Sequence, residues 1–183
     1  EYKVRANKIM ADSHPRLLTY GPFSFCVNKQ NVQIVNCSIP IPKIVYKSPI
    51  KTALLVTCGT GGEAQSQYRE FLDELRFEDL QEFSEVFVDP TIIGCESLNG
   101  QFARADFSLD MYSRTIAAIG RPGFGLISDS LVNGIRMFSV FEEHNFEMEN
   151  NARVLVEYGV GSAHANCRNA LDYVTKFLDD REL

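Results

Sequence analysis

From about residue 52 onward, the chain alternates between continuous apolar runs and apolar positions spaced as on a helix face. The run TALLVTC, ended by Gly59, has the pattern of a strand buried on both faces of a parallel sheet. In GEAQSQYREFLDELRF, Tyr68, Phe71, Leu72 and Leu75 share one helical face. EVFVD, closed by Pro90, predicts a second strand, ARADFSL a third, and DMYSRT a helical turn or two. IAAIG predicts the next strand, LISDSLVNG a helix stopped by Gly134, and RMFSVF another strand. NFEMENNARVLVEYG reads as a helix ending at Gly159, and CRNALDYVTKFLDD as a final amphipathic helix.

This βαβα rhythm predicts an α/β fold over residues 51–183: a Rossmann-like three-layer domain with a mainly parallel sheet and right-handed crossovers. Ligands of such sheets bind outside the carboxyl ends of the strands. Loops 58–63, 120–125 and 141–147 should therefore share one rim. Residues 1–50 read differently. VRANKIMADSHP fits a helix ended before Pro15, and RLLTYGPFSF a strand running into a turn. VQIVNCSIPIPKIVY alternates, but Pro40 and Pro42 confine it to a sheet edge or connector. The expectation for 1–50 is a remnant of an N-terminal domain, a linker or an edge element.

Composition narrows the function classes. At 183 residues, 45% hydrophobic and 23% charged, the chain has the make-up of a soluble globular domain. No stretch approaches a membrane span or a signal peptide, and the chain opens on Glu1 rather than Met, so a piece of a longer cytoplasmic protein is expected. A net charge of −6 argues against nucleic acid or an anionic membrane as the main partner. It leaves phosphate ligands open, because helix N-termini bind them through backbone N–H groups. Cys26, Cys37, Cys58, Cys95 and Cys167 form no CxxC pair and read as reduced thiols.

Three loops carry candidate chemistry. CGTGGEA lies between a strand and a helix, where glycines let a backbone approach a ligand closely. It is neither GxGxxG nor a Walker loop. In GRPGFGLISDSLVNG, Pro122 stiffens the loop and Gly123 and Gly125 free it, while Asp129 is expected near the start of the helix. There Asp129 is either a first-turn acid facing the helix dipole or an acceptor for ribose hydroxyls. In FEEHNFEMENNA, Glu142, Glu143, Glu147 and Glu149 surround His144. Dipole compensation is the favoured reading for these acids; no histidine has a second one at metal-ligand spacing, so no metal is expected. His144 as a general base is a weak reading. His14 and His164 are expected at the surface.

As a set, CGTGG, DFSLDM, RPGFGLISD, MFSVF and NNA, in this order, resemble the C-terminal, donor-binding half of GT-B glycosyltransferases. Within that group the likeness is to the family 28 C-terminal, UDP-glycosyltransferase-like type, over roughly residues 52–180. The resemblance implies that Thr60, Gly61 and Gly62 meet the donor's diphosphate, with Thr60 in place of the usual Ser. It implies that the backbone at Phe107 and Ser108 holds the base, with Met111 packing nearby, and that Gly123, Phe124 and Gly125 close on the diphosphate. Asp129 stands where the family has a ribose-binding Glu. Glu147 and Met148 stand where it has residues that read the sugar hydroxyls, a task Met148 cannot perform. LLTYGPF resembles the end of the family's N-terminal domain, which supplies the acceptor site and the catalytic base.

The resemblance thus implies a transferase domain whose substrate is a nucleotide-diphosphate sugar, with UDP-sugar the expected donor. It needs no cofactor. Its partners would be that sugar nucleotide and its own N-terminal domain, with membrane association only through the missing part. A UDP-sugar epimerase or hydrolase of the same fold, and a degenerate non-catalytic sugar-nucleotide-binding module, remain open. A Rossmann dehydrogenase is disfavoured because the fingerprint glycines are absent.

Overall fold

A computed structural model describes residues 16–19, 33–36, 51–59, 62–92 and 102–180. The chain divides into two units, Glu1–Ile41 and Pro42–Leu183. In the first, β1 (Arg16–Thr19) and β2 (Gln33–Asn36) pair in parallel, with Arg16 opposite Gln33 and Thr19 opposite Asn36. The helix expected before Pro15 lies outside the described residues.

The second unit alternates strand and helix. β3 (Ala53–Thr57) leads to α1 (Gly62–Glu74), a 3₁₀ turn at Phe77–Leu80 and β4 (Glu85–Val88). β5 (Phe102–Arg104) is followed by α2 (Leu109–Arg114), β6 (Thr115–Gly120) and α3 (Phe124–Asn133). β7 (Arg136–Ser139), α4 (Phe146–Glu157), β8 (Gly161–Ala163) and α5 (Cys167–Asp179) complete it. The six strands form one parallel sheet in the order β5-β4-β3-β6-β7-β8. Two halves thus run outward from a centre at β3 and β6, the doubly wound order of dinucleotide-binding folds.

The centre is the most apolar part because it is covered on both faces. Every residue of β3 and β6 is buried. On one face Leu54, Val56, Ile119 and Phe138 pack against Tyr68, Phe71 and Leu72 of α1 and Ala170, Leu171 and Val174 of α5. On the other, Ala53, Leu55, Phe87 and Ala118 pack against Met111 and Tyr112 of α2, with Leu126 of α3 beside them. The result is a three-layer α/β domain, as the alternating pattern predicts. α3 stops at Gly134, whose left-handed φ of 63° closes the helix: Gly134 N–H donates to Leu131 O and Ile135 N–H to Ser130 O.

Candidate functional site

The winding reverses between β3 and β6, and at that point the two strand ends nearly touch. A Cβ on Gly120 would lie 2.8 Å from the Thr57 carbonyl oxygen and 2.7 Å from Leu126 Cδ2, so glycine is required there. Beyond it the chain passes through Arg121 and Pro122 to Gly123, the N-cap of α3. Gly123 gives that helix no side-chain cap. Three other helices are capped by side chains: Ser108 Oγ accepts from Met111 N, Asn145 Oδ1 from Met148 N, and Asn166 Oδ1 from Asn169 N. The positive dipole end of α3 therefore faces the rim with no side-chain oxygen from its cap residue. Among the described residues, a Cβ on Gly123 or Gly125 would meet nothing within 4 Å.

This loop is held from behind by polar side chains. Asn151, 2% exposed, donates from Nδ2 to the Pro122 carbonyl at 2.8 Å. Arg121 forms a two-pronged ion pair with Glu142, Nε donating to Oε2 at 2.8 Å and the second nitrogen bonding Oε1. Glu142 also accepts from Asn145 Nδ2 at 2.5 Å. Burial pushes the Glu142 carboxyl up, but the hydrogen bonds from Arg121, its own backbone and Asn145, with the Arg121 charge, outweigh it and hold it below the usual range. Loops 121–123 and 142–145 are thus one linked unit. Just beyond β3, burial raises the Cys58 thiol, which lies near Thr91.

The predicted site residues separate into those the rim gathers and those it does not. Gly123, Phe124 and Gly125 lie together at the start of α3. Asp129 is the sixth residue of that helix and no acid falls in its first turn, so it is not the dipole-facing acid of the simpler reading. It is exposed and accepts a hydrogen bond from Tyr112 Oη at 2.9 Å. Gly62 opens α1; Thr60 and Gly61 lie outside the described residues. Phe107, 42% exposed, sits after β5 at a left-handed φ of 53°, a strained conformation for a phenylalanine. Ser108 beside it spends its hydroxyl as the α2 cap, and its N–H donates to Asp106 Oδ1 at 3.0 Å.

Both methionines are buried. Met111 is 1% exposed and belongs to the core against β3. Met148 is buried in the first turn of α4, while Glu147 beside it is exposed. His144 also takes a left-handed φ, of 64°, on the rim after β7. His164 is half-buried rather than on the surface: it stacks on Phe138, touches Tyr173, and lies 2.7 Å from Ser162 Oγ. Burial lowers its pKa. Among the described residues no three His, Cys, Asp or Glu gather as a metal site, and no helix is long and apolar enough to cross a membrane.

Sequence reasoning passed over Asp89, Tyr112, Arg121 and Asn151. The sign for Asp89 is a carboxylate straight after an apolar strand in EVFVD; for Asn151 it is an amide at a core position of α4. Arg121 and Tyr112 carry no comparable sign, because their partners Glu142 and Asp129 lie far along the chain.

No family model matches the chain, and no curated protein matches it in sequence. Among solved structures it is similar to the glycosyltransferase of kitacinnamycin, with a TM-score of 0.53 and 14% identity, over 81% of this chain and 42% of that one. It is also similar to the glycosyltransferase SnogD from Streptomyces nogalater, with a TM-score of 0.42 and 18% identity, over 67% of this chain and 35% of that one. The chain therefore spans less than half the length of either protein. The likeness to the kitacinnamycin enzyme shows the fold: the α/β arrangement is GT-B glycosyltransferase-like.

Proposed function

We propose that residues 51–183 are the donor-binding domain of a glycosyltransferase that uses a nucleotide-diphosphate sugar, with UDP as the nucleotide. The observation that carries this reading is the position of α3: its glycine-capped N-terminus opens at the reversal point of the sheet, where α/β folds of this winding hold phosphates. The diphosphate would lie against Gly123, Phe124 and Gly125 and, across the crevice, the start of α1. Asp129, one turn further along α3, would accept a ribose hydroxyl. Glu147 is left as the polar group for the sugar, since Met148 is buried.

In the reaction, an acceptor hydroxyl attacks the anomeric carbon and the sugar–phosphate bond breaks. The negative charge gathering on the leaving diphosphate is met by the fixed N–H dipoles of α3, as an oxyanion hole meets its anion. The acceptor and the catalytic base belong to an N-terminal half, so this chain alone binds donor and transfers little. A cytoplasmic setting is part of the proposal. Calorimetry of the chain with UDP, GDP and NAD tests the reading. Binding of UDP in preference to the other two is expected, and no binding of any nucleoside diphosphate overturns it.

A further inference from the structure

A positive charge stands two residues ahead of the Gly123 cap, and a carboxylate neutralises it in place. Arg121 O accepts from Gly123 N at 2.8 Å, which ties Arg121 to the start of α3. The Arg121 side chain is 15% exposed and that of its partner Glu142 23%, so water screens the pair only in part. Burial raises the Cys58 thiol just beyond β3 and the Tyr68 phenol of α1, and the Arg121 charge opposes that rise at both. Glu142 adds to it at Tyr68. Tyr68 Oη in turn donates to Val140 O at 2.8 Å, two residues before Glu142. The ion pair is therefore a neighbour of the end of β3 and of α1 as well as of α3.

Glu142 is also fixed on its other side. Asn145 Oδ1 accepts from Met148 N as the cap of α4, which leaves its Nδ2 to donate to Glu142 Oε1 at 2.5 Å. The carboxylate is gripped by a guanidinium and by an amide whose orientation the next helix sets. A diphosphate at the start of α3 would feel both charges of the pair together. Two opposite charges held side by side act at a distance as a weak dipole, whereas an unpaired guanidinium acts with its full charge. The difference matters once the sugar–phosphate bond breaks. In the donor the terminal phosphate is an ester; in the released nucleoside diphosphate it is free and ionises once more, with a pKa of about 6. At neutral pH the product thus carries one more negative charge than the donor. An unpaired cation would favour the product, and a neutral pair does not.

We propose that Glu142 is a specificity-determining residue of the donor site: by holding the charge of Arg121, it keeps the site from favouring the released nucleoside diphosphate over the sugar nucleotide. The inference rests on the donor-binding reading above for its ligand, and on the Arg121–Glu142–Asn145 chain for its geometry.

Calorimetry of the full chain with UDP, UDP-glucose and uridine as probes tests it. Glu142→Gln keeps the length of the side chain and an oxygen for Asn145, but leaves Arg121 without a counter-charge. It is expected to tighten UDP about tenfold, UDP-glucose about threefold and uridine by less than about twofold. A merely structural role predicts the opposite sign, because a loosened loop weakens all three. The double variant Arg121→Gln, Glu142→Gln removes both charges and should return the ratio of UDP to UDP-glucose affinity to that of the wild type. A second measurement needs no variant and covers a Glu142→Gln chain that does not fold. Between about 50 and 200 mM salt, the wild-type ratio should change by less than about twofold, since a neutral pair presents no bare charge to screen. No gain for UDP in Glu142→Gln, an equal gain for UDP and UDP-glucose, a gain that persists in the double variant, or a wild-type ratio that falls severalfold with salt overturns the proposal. A wild-type chain that binds none of the three probes overturns the donor reading and this inference with it; a wild type that binds UDP beside a Glu142→Gln chain that gains nothing overturns this inference alone.

Discussion

The phenol of Tyr112, on α2, donates to Oδ2 of Asp129, on α3, at 2.9 Å. Tyr112 is 4% exposed while Asp129 is open to solvent, so a core residue fixes the rotamer of a surface carboxylate. One of its two oxygens, Oδ2, is thereby tied to the core. This bond explains how an acid beyond the first turn of α3 can be held as rigidly as a ligand contact requires.

Removing Asp129 should therefore cost nucleotide binding in a way that depends on the ribose. Asp129→Ala is expected to weaken UDP by about 1.5–3 kcal/mol, the range for hydrogen bonds to a charged partner. It should leave the binding of 2′,3′-dideoxy-UDP nearly unchanged. Calorimetry with both nucleotides checks this; an equal loss for the two would remove Asp129 from the ribose site.

Tyr112 also predicts a response to alkali. Burial first, and then the hydrogen bond and negative charge of Asp129, push its pKa well above the ordinary 10. The native state thus favours the protonated phenol more than the unfolded chain does. That contribution is fully present below pH 10 and is lost as the pH climbs through the raised native value. Tyr112→Phe should lose about 1 kcal/mol at neutral pH, and its stability should fall less steeply than the wild type's above pH 10. Urea titrations at a series of pH values would show both effects.

Much of this fold is legible in the spacing of apolar residues, because β3, β6 and the long helices each keep a single period over their length. β8 is not, since Gly161–Ala163 contains no β-branched or aromatic residue. It becomes a strand because β7 offers a partner edge: Met137 N–H bonds Val160 O, and His164 N–H bonds Ser139 O. Gly161 lies so close that a Cβ would come within 2.7 Å of Met137 O. The start of α3 is misplaced for the opposite reason. Two glycines around Phe124 read as loop, yet Phe124 and Gly125 are helical, and that shift moves Asp129 out of the first turn. The supporting network escapes a linear reading altogether: Thr57 meets Asp89 and Pro122 meets Asn151 only once the sheet has formed.

The Arg121–Glu142 pair predicts a response to acid. Glu142 is held below its ordinary 4.5, so its contribution is present above pH 4.5 and is lost as the pH falls through the lowered native value. Glu142→Gln should flatten that acid limb. Arg121→Ala should destabilise by about 1–3 kcal/mol at neutral pH, between the cost of breaking an exposed pair and a buried one, because it leaves a half-shielded carboxylate without its cation. Thermal melts between neutral and acid pH measure both.

Two glycines three residues apart separate the demands of the fold from those of a ligand. An added methyl at Gly120 would press on the Thr57 carbonyl, a backbone atom that cannot step aside, so Gly120→Ala should cost about 1–3 kcal/mol of stability by overpacking. At Gly123 the backbone has φ −71° and ψ 151°, which any residue adopts, and the methyl would meet nothing within 4 Å among the described residues. Alanine is a poorer N-cap than glycine but narrows the unfolded ensemble, so Gly123→Ala should change stability by less than about 0.5 kcal/mol. Only a ligand seated against that peptide would object to it. UDP affinity should therefore fall about tenfold or more in Gly123→Ala while its unfolding midpoint stays near the wild type's. Should the variant bind UDP as tightly as the parent chain, the diphosphate does not sit on α3.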